Sequence, residues 1–176
     1  MSVVEFYGTK GEYGCFSNFS RHSVVIKNKR YRTSENYYQA QKFATTDPLY
    51  SNKIAKALRP NDAAKLGRDK SRKLFRKDWE SVKLDVMRVA IRAKAEQHPD
   101  IKALLLSTGD REIEETSKND LYWGTGANGK GQNWLGRLWM ELRTKFRAEA
   151  NRSKDPKEET DEEVLEDLFS DFPEQR

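Results

Sequence analysis

The sequence predicts a mainly α-helical fold, α+β in detail: a compact helical domain with a small β-sheet or hairpin near the N-terminus. Three observations predict it. Apolar residues recur every three or four positions from Asp78 to Gln97, they do so again from Leu135 to Phe146, and short β-branched and aromatic runs near the N-terminus read as strands.

In chain order, Val3-Val4-Glu5-Phe6-Tyr7 reads as a strand leading into a turn region marked by Gly8, Gly11 and Gly14. Val24-Val25-Ile26 meets Tyr31 across Lys27-Asn28-Lys29-Arg30 as a hairpin. Ser34 is placed to cap a helix running to about Ala44, with Glu35 in its first turn. Asp47-Pro48 opens a short helix to about Leu58, and Asn61 or Asp62 opens another before Gly67. In the long helix after Asp78, Trp79, Val82, Val86, Val89 and Ala93 share one face, while Leu84, Met87 and Ile91 line the next. Two apolar faces predict a central helix buried on most sides. Pro99 opens a helix that Gly109 stops. Leu135, Leu138, Trp139, Leu142 and Phe146 form the buried face of the last helix, with Glu141 and Lys145 an exposed pair at i,i+4.

Composition excludes several function classes. Hydrophobic residues make up 36% and charged residues 35%, so the chain can build a core but has no apolar run long enough to span a membrane. The N-terminal residues show no basic region followed by an apolar stretch, and Cys15 is the single cysteine, so a reducing, cytoplasmic setting is expected (nuclear in a eukaryote), without secretion. One cysteine and two histidines, His22 and His98, leave no basis for a Cys- or His-rich metal site. Residues 151–176 hold 4 basic and 10 acidic residues, a net of −6, which leaves +11 on residues 1–150. A basic body points to an anionic partner or substrate. Asn151 to Pro156 reads as a linker; beyond it lies either a solvated tail or a short amphipathic segment carrying Val164, Leu165, Leu168, Phe169 and Phe172.

Two segments carry candidate chemistry. Glu35, Gln39 and Lys42 fall on one helical stripe, with about 10 Å of rise between the first and last. A solvated helix face is the plainer reading of that spacing. The sharper one has Glu35 and Lys42 pointing into one pocket, the carboxylate for acid–base work and a desolvated lysine for imine chemistry with a sugar carbonyl. The second segment runs from Trp123 to Gly136 and holds five of the ten glycines directly before a helix. Its amides and the helix N-terminus could meet a phosphate, or the loop could be only a tight connection. It spells G-x-G-x-x-G without a βαβ context, and G-x-x-x-x-G-K with Gly131 where a P-loop needs Ser or Thr. Ser17-Asn18-Phe19 and Asn119-Asp120-Leu121-Tyr122-Trp123 add amides, a carboxylate and aromatic faces able to sandwich a heterocycle.

Together these pieces resemble the NADAR, or YbiA-like, family of N-glycosidases over roughly residues 5–147. The resemblance is carried by Phe16-Ser17-Asn18-Phe19, Thr33-Ser34-Glu35, Gln39-Ala40-Gln41-Lys42-Phe43, Gly67-Arg68 and Trp79-Glu80-Ser81-Val82-Lys83 with Met87. Asn119 to Gly124 with Gly126, Gly129-Lys130-Gly131, Asn133, Leu135-Gly136 and Met140-Glu141-Leu142-Arg143 complete it. It implies a domain over 1–150, with the acidic 151–176 outside, and cleavage of a C1′–N bond between ribose and an amino group of a guanine-derived ring. Two substrates are implied: ADP-ribose on guanine in nucleic acid, towards which the basic body leans, and phosphoribosylamino-pyrimidine intermediates of riboflavin synthesis. A non-catalytic nucleic-acid or ADP-ribose-binding module is the rival class. In the enzyme reading Glu35 matches the family's essential glutamate and Lys42 would hold the sugar as a Schiff base. Asn18, Phe19, Asp120, Trp123 and Asn133 would position base and ribose with Gln39 and Trp79, while Arg68 and the glycine loop with Gly126 would meet phosphate. No cofactor or metal is implied, no membrane partner is expected, and oligomeric state is not readable.

Overall fold

The computed structural model describes residues 2–69 and 71–154, the side chain of Lys154 aside. A first unit covers Met1–Arg143 and a second begins at Thr144. In the first, strand β1 (Val4–Phe6) pairs in parallel with β4 (Ile113–Glu115), and β2 (Val24–Ile26) pairs antiparallel with β3 (Lys29–Tyr31). The helices are α1 (Ser34–Gln41), α2 (Pro48–Ala55), α3 (Pro60–Gly67), α4 (Trp79–Gln97), α5 (Pro99–Ser107) and α6 (Trp134–Lys154). The mainly α fold with small β elements is as predicted. Among the described residues no helix is long and apolar enough to cross a membrane.

The hairpin turns on two residues, Lys27 at φ 51° and Asn28 at φ 59°. Positive φ at both positions is what a right-twisted two-residue hairpin requires. Gln97 at the end of α4 then bonds the edge of β2, donating to the Val25 carbonyl and accepting from its amide, each at 2.8 Å. The β1 strand is as expected, but its partner β4 has a single apolar residue in three and carries no period-2 signal. Pairing it depends on Asn133, whose amide donates to the Ile113 carbonyl at 2.8 Å and accepts from the Glu115 amide at 3.1 Å.

Several helix expectations change. Thr33, rather than Ser34, caps α1: its extended backbone lets Oγ1 accept from the Asn36 amide at 3.2 Å. The helix stops at Gln41, followed by turns, rather than at Ala44. Asp47 caps α2 as expected, accepting from the Tyr50 amide at 3.0 Å. Pro60 opens α3 ahead of the asparagine and aspartate assigned to that role, because its fixed φ suits a first helical position.

The helix buried on most sides is α1, not α4. Every residue from Ser34 to Ala40 is buried, although most are polar. In α4 the buried set is Trp79, Met87, Ala90, Ile91, Ala93, Lys94 and Ala95, while Val89 is 44% exposed. That burial rests on an unforeseen residue. Lys94 is wholly buried and donates to the Ser17 carbonyl at 2.8 Å and the Ser20 hydroxyl at 2.5 Å. Trp139 of α6 donates to the neighbouring Phe16 carbonyl at 3.0 Å. The 16–20 loop is therefore pinned from two helices. Glu141 meets Arg88 of α4 at 3.1 Å, so its charge has a tertiary role that helical spacing does not reveal. In the second unit α6 continues through Asn151–Lys154, where composition suggested a linker; residues 155–176, with the expected acidic tail, lie outside the described residues.

Burial pushes the Lys94 ammonium from its ordinary 10.5 down to about 7, against a smaller opposing effect of Cys15. Between those values the unfolded chain holds a proton that the folded chain lacks, so this group makes stability rise with pH. Urea unfolding at pH 7 and pH 9 should show a larger gain for the native chain than for Lys94→Met. Equal gains in both would contradict the burial of an ionisable lysine.

Candidate active site

The stripe of α1 is not a solvated face: Glu35, Gln39 and Lys42 are 4%, 2% and 8% exposed. The helix is anchored on one side by Asn36, which accepts a hydrogen bond from the Thr33 hydroxyl at 2.7 Å and donates to the Ile54 and Ala57 carbonyls of α2 and its end. That anchoring turns Glu35, Tyr38, Gln39 and Lys42 towards the 16–20 loop, α3 and α4. The Glu35 amide donates to the Asn18 carbonyl at 3.1 Å. Gln39 donates to Glu35 Oε1 at 2.7 Å, fixing the carboxyl's orientation. Lys42 donates to the Gly67 carbonyl at 3.2 Å.

Aromatic rings enclose the lysine. Its Nζ lies 5.5 Å from the Tyr38 ring centroid, 5.6 Å from Trp79 and 6.0 Å from Phe75. Tyr38 in turn meets Trp79 edge-on at 4.9 Å and Trp123 at 5.4 Å. Removing water from an ammonium costs more than ring faces return, so burial pushes Lys42 down to about 8 despite the opposing charge of Glu35. Burial likewise raises the Glu35 carboxyl above its usual range; Gln39, Arg68 and Lys42 pull the other way and Asp120 adds to the rise. Burial thus shifts the acid upward and the amine downward, each towards its neutral form. That is the reverse of a solvated pair.

Glu115 is a third carboxyl here that the sequence reading missed. Burial, then Asp120 and Glu35, push it up to about 7. A three-residue strand in an acidic stretch gave it no signal. Tyr38 was findable, because it stands three residues after Glu35 and four before Lys42 on the same face. Among the described residues the buried side-chain atoms without a partner are Asn18 Oδ1, Ser34 Oγ, Gln39 Oε1 and Glu115 Oε2. Each belongs to a residue bonded to Glu35, adjacent to it or coupled to its charge. Buried polar atoms nearly always have partners, so these four oxygens make the surroundings of Glu35 unusually polar for a buried region. Among the described residues no group of His, Cys, Asp or Glu is arranged to hold a metal ion.

The other predicted residues divide. Trp79 and Trp123 stand in the aromatic wall and Asn18 faces its orphaned oxygen inward. Phe19 is half-buried on the same loop, and Arg68, exposed at the end of α3, acts electrostatically on both Glu35 and Lys42. Asp120 accepts from the Tyr122 and Trp123 amides at 2.9 and 2.7 Å, so it orients the tryptophan. Asn133 offers no amide to a ligand, since both ends are taken by β4. The glycine loop is corrected too. The amides of Thr125 and of 129–135 are bonded within the fold, those of Trp134 and Leu135 to the Tyr122 and Trp123 carbonyls, so the start of α6 is plugged rather than open to phosphate. Gly126 serves the turn: at φ 69°, a side chain there would lie 2.4 Å from Leu121.

Gly67 sets how closely α3 approaches the site. A Cβ there would lie 2.1 Å from Gln39 Oε1 and 2.8 Å from its Cβ. Gly67→Ala should displace Gln39, release Glu35 and lower kcat/KM while costing about 1–3 kcal/mol of stability. Steady-state kinetics with thermal unfolding checks this, and full activity at native stability would contradict it.

A family model described as the NADAR domain matches residues 5–147. The chain is 48% identical over 148 residues to N-glycosidase YbiA of Escherichia coli, covering 84% of this chain and 91% of that one. It is 44% identical over 146 residues to N-glycosidase Npun_R5314 of Nostoc punctiforme, covering 82% and 93%. It is 39% identical to the chloroplastic riboflavin biosynthesis protein PYRR of Zea mays, of which it covers 25%. The NMR structure of Escherichia coli YbiA superposes with a TM-score of 0.78 at 47% identity, over 85% of this chain and 87% of that one. With a family match over residues 5–147 and relatives named as N-glycosidases covered over most of their length, the chain belongs to the NADAR domain family and is an enzyme of the N-glycosidase class.

Proposed function

We propose that this N-glycosidase cleaves the bond between ribose C1′ and an amino group on a guanine-derived ring, removing ADP-ribose from guanine in nucleic acid. The observation that carries the proposal is the desolvated pair on α1, a buried glutamic acid and a lysine whose ammonium is pushed down to about 8. Binding alone has no need of an acid and an amine shifted towards their neutral forms.

In this reading the ribose ring opens at C1′–O4′ and leaves an imine between C1′ and the base amine. Neutral Lys42 Nζ adds to C1′, and Glu35 gives its proton to the departing nitrogen. The C1′–N bond to the base breaks, and C1′ remains joined to Lys42 as a Schiff base. Water then adds to C1′, returns a proton to Glu35, and expels the lysine as the sugar closes. The net change is one water consumed, one amine and one sugar hemiacetal released. Trp79, Trp123 and Tyr38 would stack the base, and Asn18 would accept from its amino groups or from ribose hydroxyls.

The net charge of +11 over residues 1–150 supports a nucleic-acid-borne substrate. The similarity to a riboflavin biosynthesis protein favours a second reading, in which phosphoribosylamino-pyrimidines occupy the same pocket. Incubating the chain with ADP-ribosylated guanine DNA and with those intermediates, and comparing kcat/KM, separates the two. Glu35→Gln should lower kcat on the order of 10²–10⁴-fold on the preferred substrate; near-native turnover would remove Glu35 from the chemistry.

A further inference from the structure

A cleft open to solvent, of about 830 Å³, lies between the flank of the β2–β3 hairpin and the connection from α2 to α3, and Arg21, Arg30, Arg32, Lys56 and Arg59 stand on its walls with no carboxylate among them. We infer that this cleft is a docking surface for a nucleic-acid strand. The inference rests on the nucleic-acid reading of the substrate and names a surface that would hold it.

The charge is held against its own repulsion. Arg59 is neutralised by Asp62 at 2.9 Å and Arg30 donates to the Ser23 hydroxyl at 3.2 Å. Arg21, Arg32 and Lys56 are exposed and meet no carboxylate among the described residues. Lys29 nearby is pushed below its usual range by burial and by the charge of Lys56. Both walls are fixed in place: Gln97 clamps the hairpin to α4, and Asn36 ties α1 to the end of α2. Clustered cations on a rigid frame raise the local potential and favour an anion.

The amount of charge selects the anion. One phosphate monoester carries about −1.5 to −2, short of what this many cations would neutralise, whereas a nucleic-acid strand brings one phosphate per nucleotide. Four of the five cations are arginines, whose forked guanidinium matches phosphate oxygens in pairs. The cleft is also tied to the frame of the site: Thr33 lines it and caps α1, the helix that carries Glu35 on its other side.

The test uses the full chain and an unmodified single-stranded oligonucleotide of about 12 nucleotides, with fluorescence anisotropy read at several salt concentrations. Replacing Arg21, Arg32 and Lys56 together by Gln should weaken binding on the order of ten-fold or more and reduce the log–log salt slope by about 2, since each single-strand phosphate contact contributes roughly 0.7. A matched triple at Lys10, Lys77 and Lys118, exposed lysines that do not line the cleft, should change neither by more than a small fraction of that. Equal weakening by both triples, or unchanged binding in the cleft triple, would overturn the inference. So would displacement of the oligonucleotide by ADP-ribose alone, which marks a mononucleotide subsite, or tighter binding of a synthetic peptide of residues 155–176, which marks the chain's own acidic segment as occupant. Turnover is not the readout, so failure of the Glu35 test leaves this one intact, and a cleft indifferent to nucleic acid leaves the Glu35–Lys42 chemistry standing.

Discussion

Everything in the first unit is arranged around the burial of a polar helix. Sequestering Ser34 to Ala40 removes a serine, a glutamate, an asparagine, two tyrosines and a glutamine from water, and a lysine follows at the helix end. Each unpaired group would cost on the order of 1–3 kcal/mol. The fold offsets that cost unevenly. On the α2 side, Thr33 and the Ile54 and Ala57 carbonyls satisfy Asn36 fully. On the opposite side Glu35 and Gln39 satisfy each other only in part, and oxygen atoms of Asn18, Ser34, Gln39 and Glu115 remain without partners. Such orphans are uncommon in folded proteins, and here they gather around Glu35.

Desolvation then performs the tuning. It drives the acid up and the amine down, and their mutual attraction opposes both shifts without reversing either. That Lys42 forms no close ion pair among the described residues matters to this outcome. Lys42 is held by the Gly67 carbonyl and ring faces, not by a carboxylate that would restore its charge. Gly67 serves twice: its carbonyl places the ammonium, and its missing side chain lets Gln39 hold Glu35. Supporting residues lie further out. Lys94 and Trp139 fix the loop that carries Asn18, and Asn133 fixes the strand that carries Glu115.

What the sequence discloses follows from how local each cause is. The hairpin, the α2 cap at Asp47 and the periodic helices rest on neighbours in the chain, and they were legible. The Glu35–Gln39–Lys42 stripe was visible as spacing, but its burial was not, since polar residues at helical intervals describe a solvated face equally well. The tertiary causes lay out of reach: Lys94 reaches loop atoms more than 70 residues away, and β4 owes its place to an asparagine 18 to 20 residues downstream. The glycine loop misled for the same reason. Its composition matches an open anion cradle, yet the chain at 121–125 takes up its amides. Glycine there serves tight turning.

The central claim is that the desolvated lysine forms a bond to the sugar. Borohydride added during turnover, followed by peptide mass spectrometry, tests it most directly. A reduced sugar adduct on Lys42, absent in Glu35→Gln under single-turnover conditions, is the result expected. Turnover that proceeds at full rate with no adduct on Lys42 would contradict the claim and leave the lysine an electrostatic partner of Glu35.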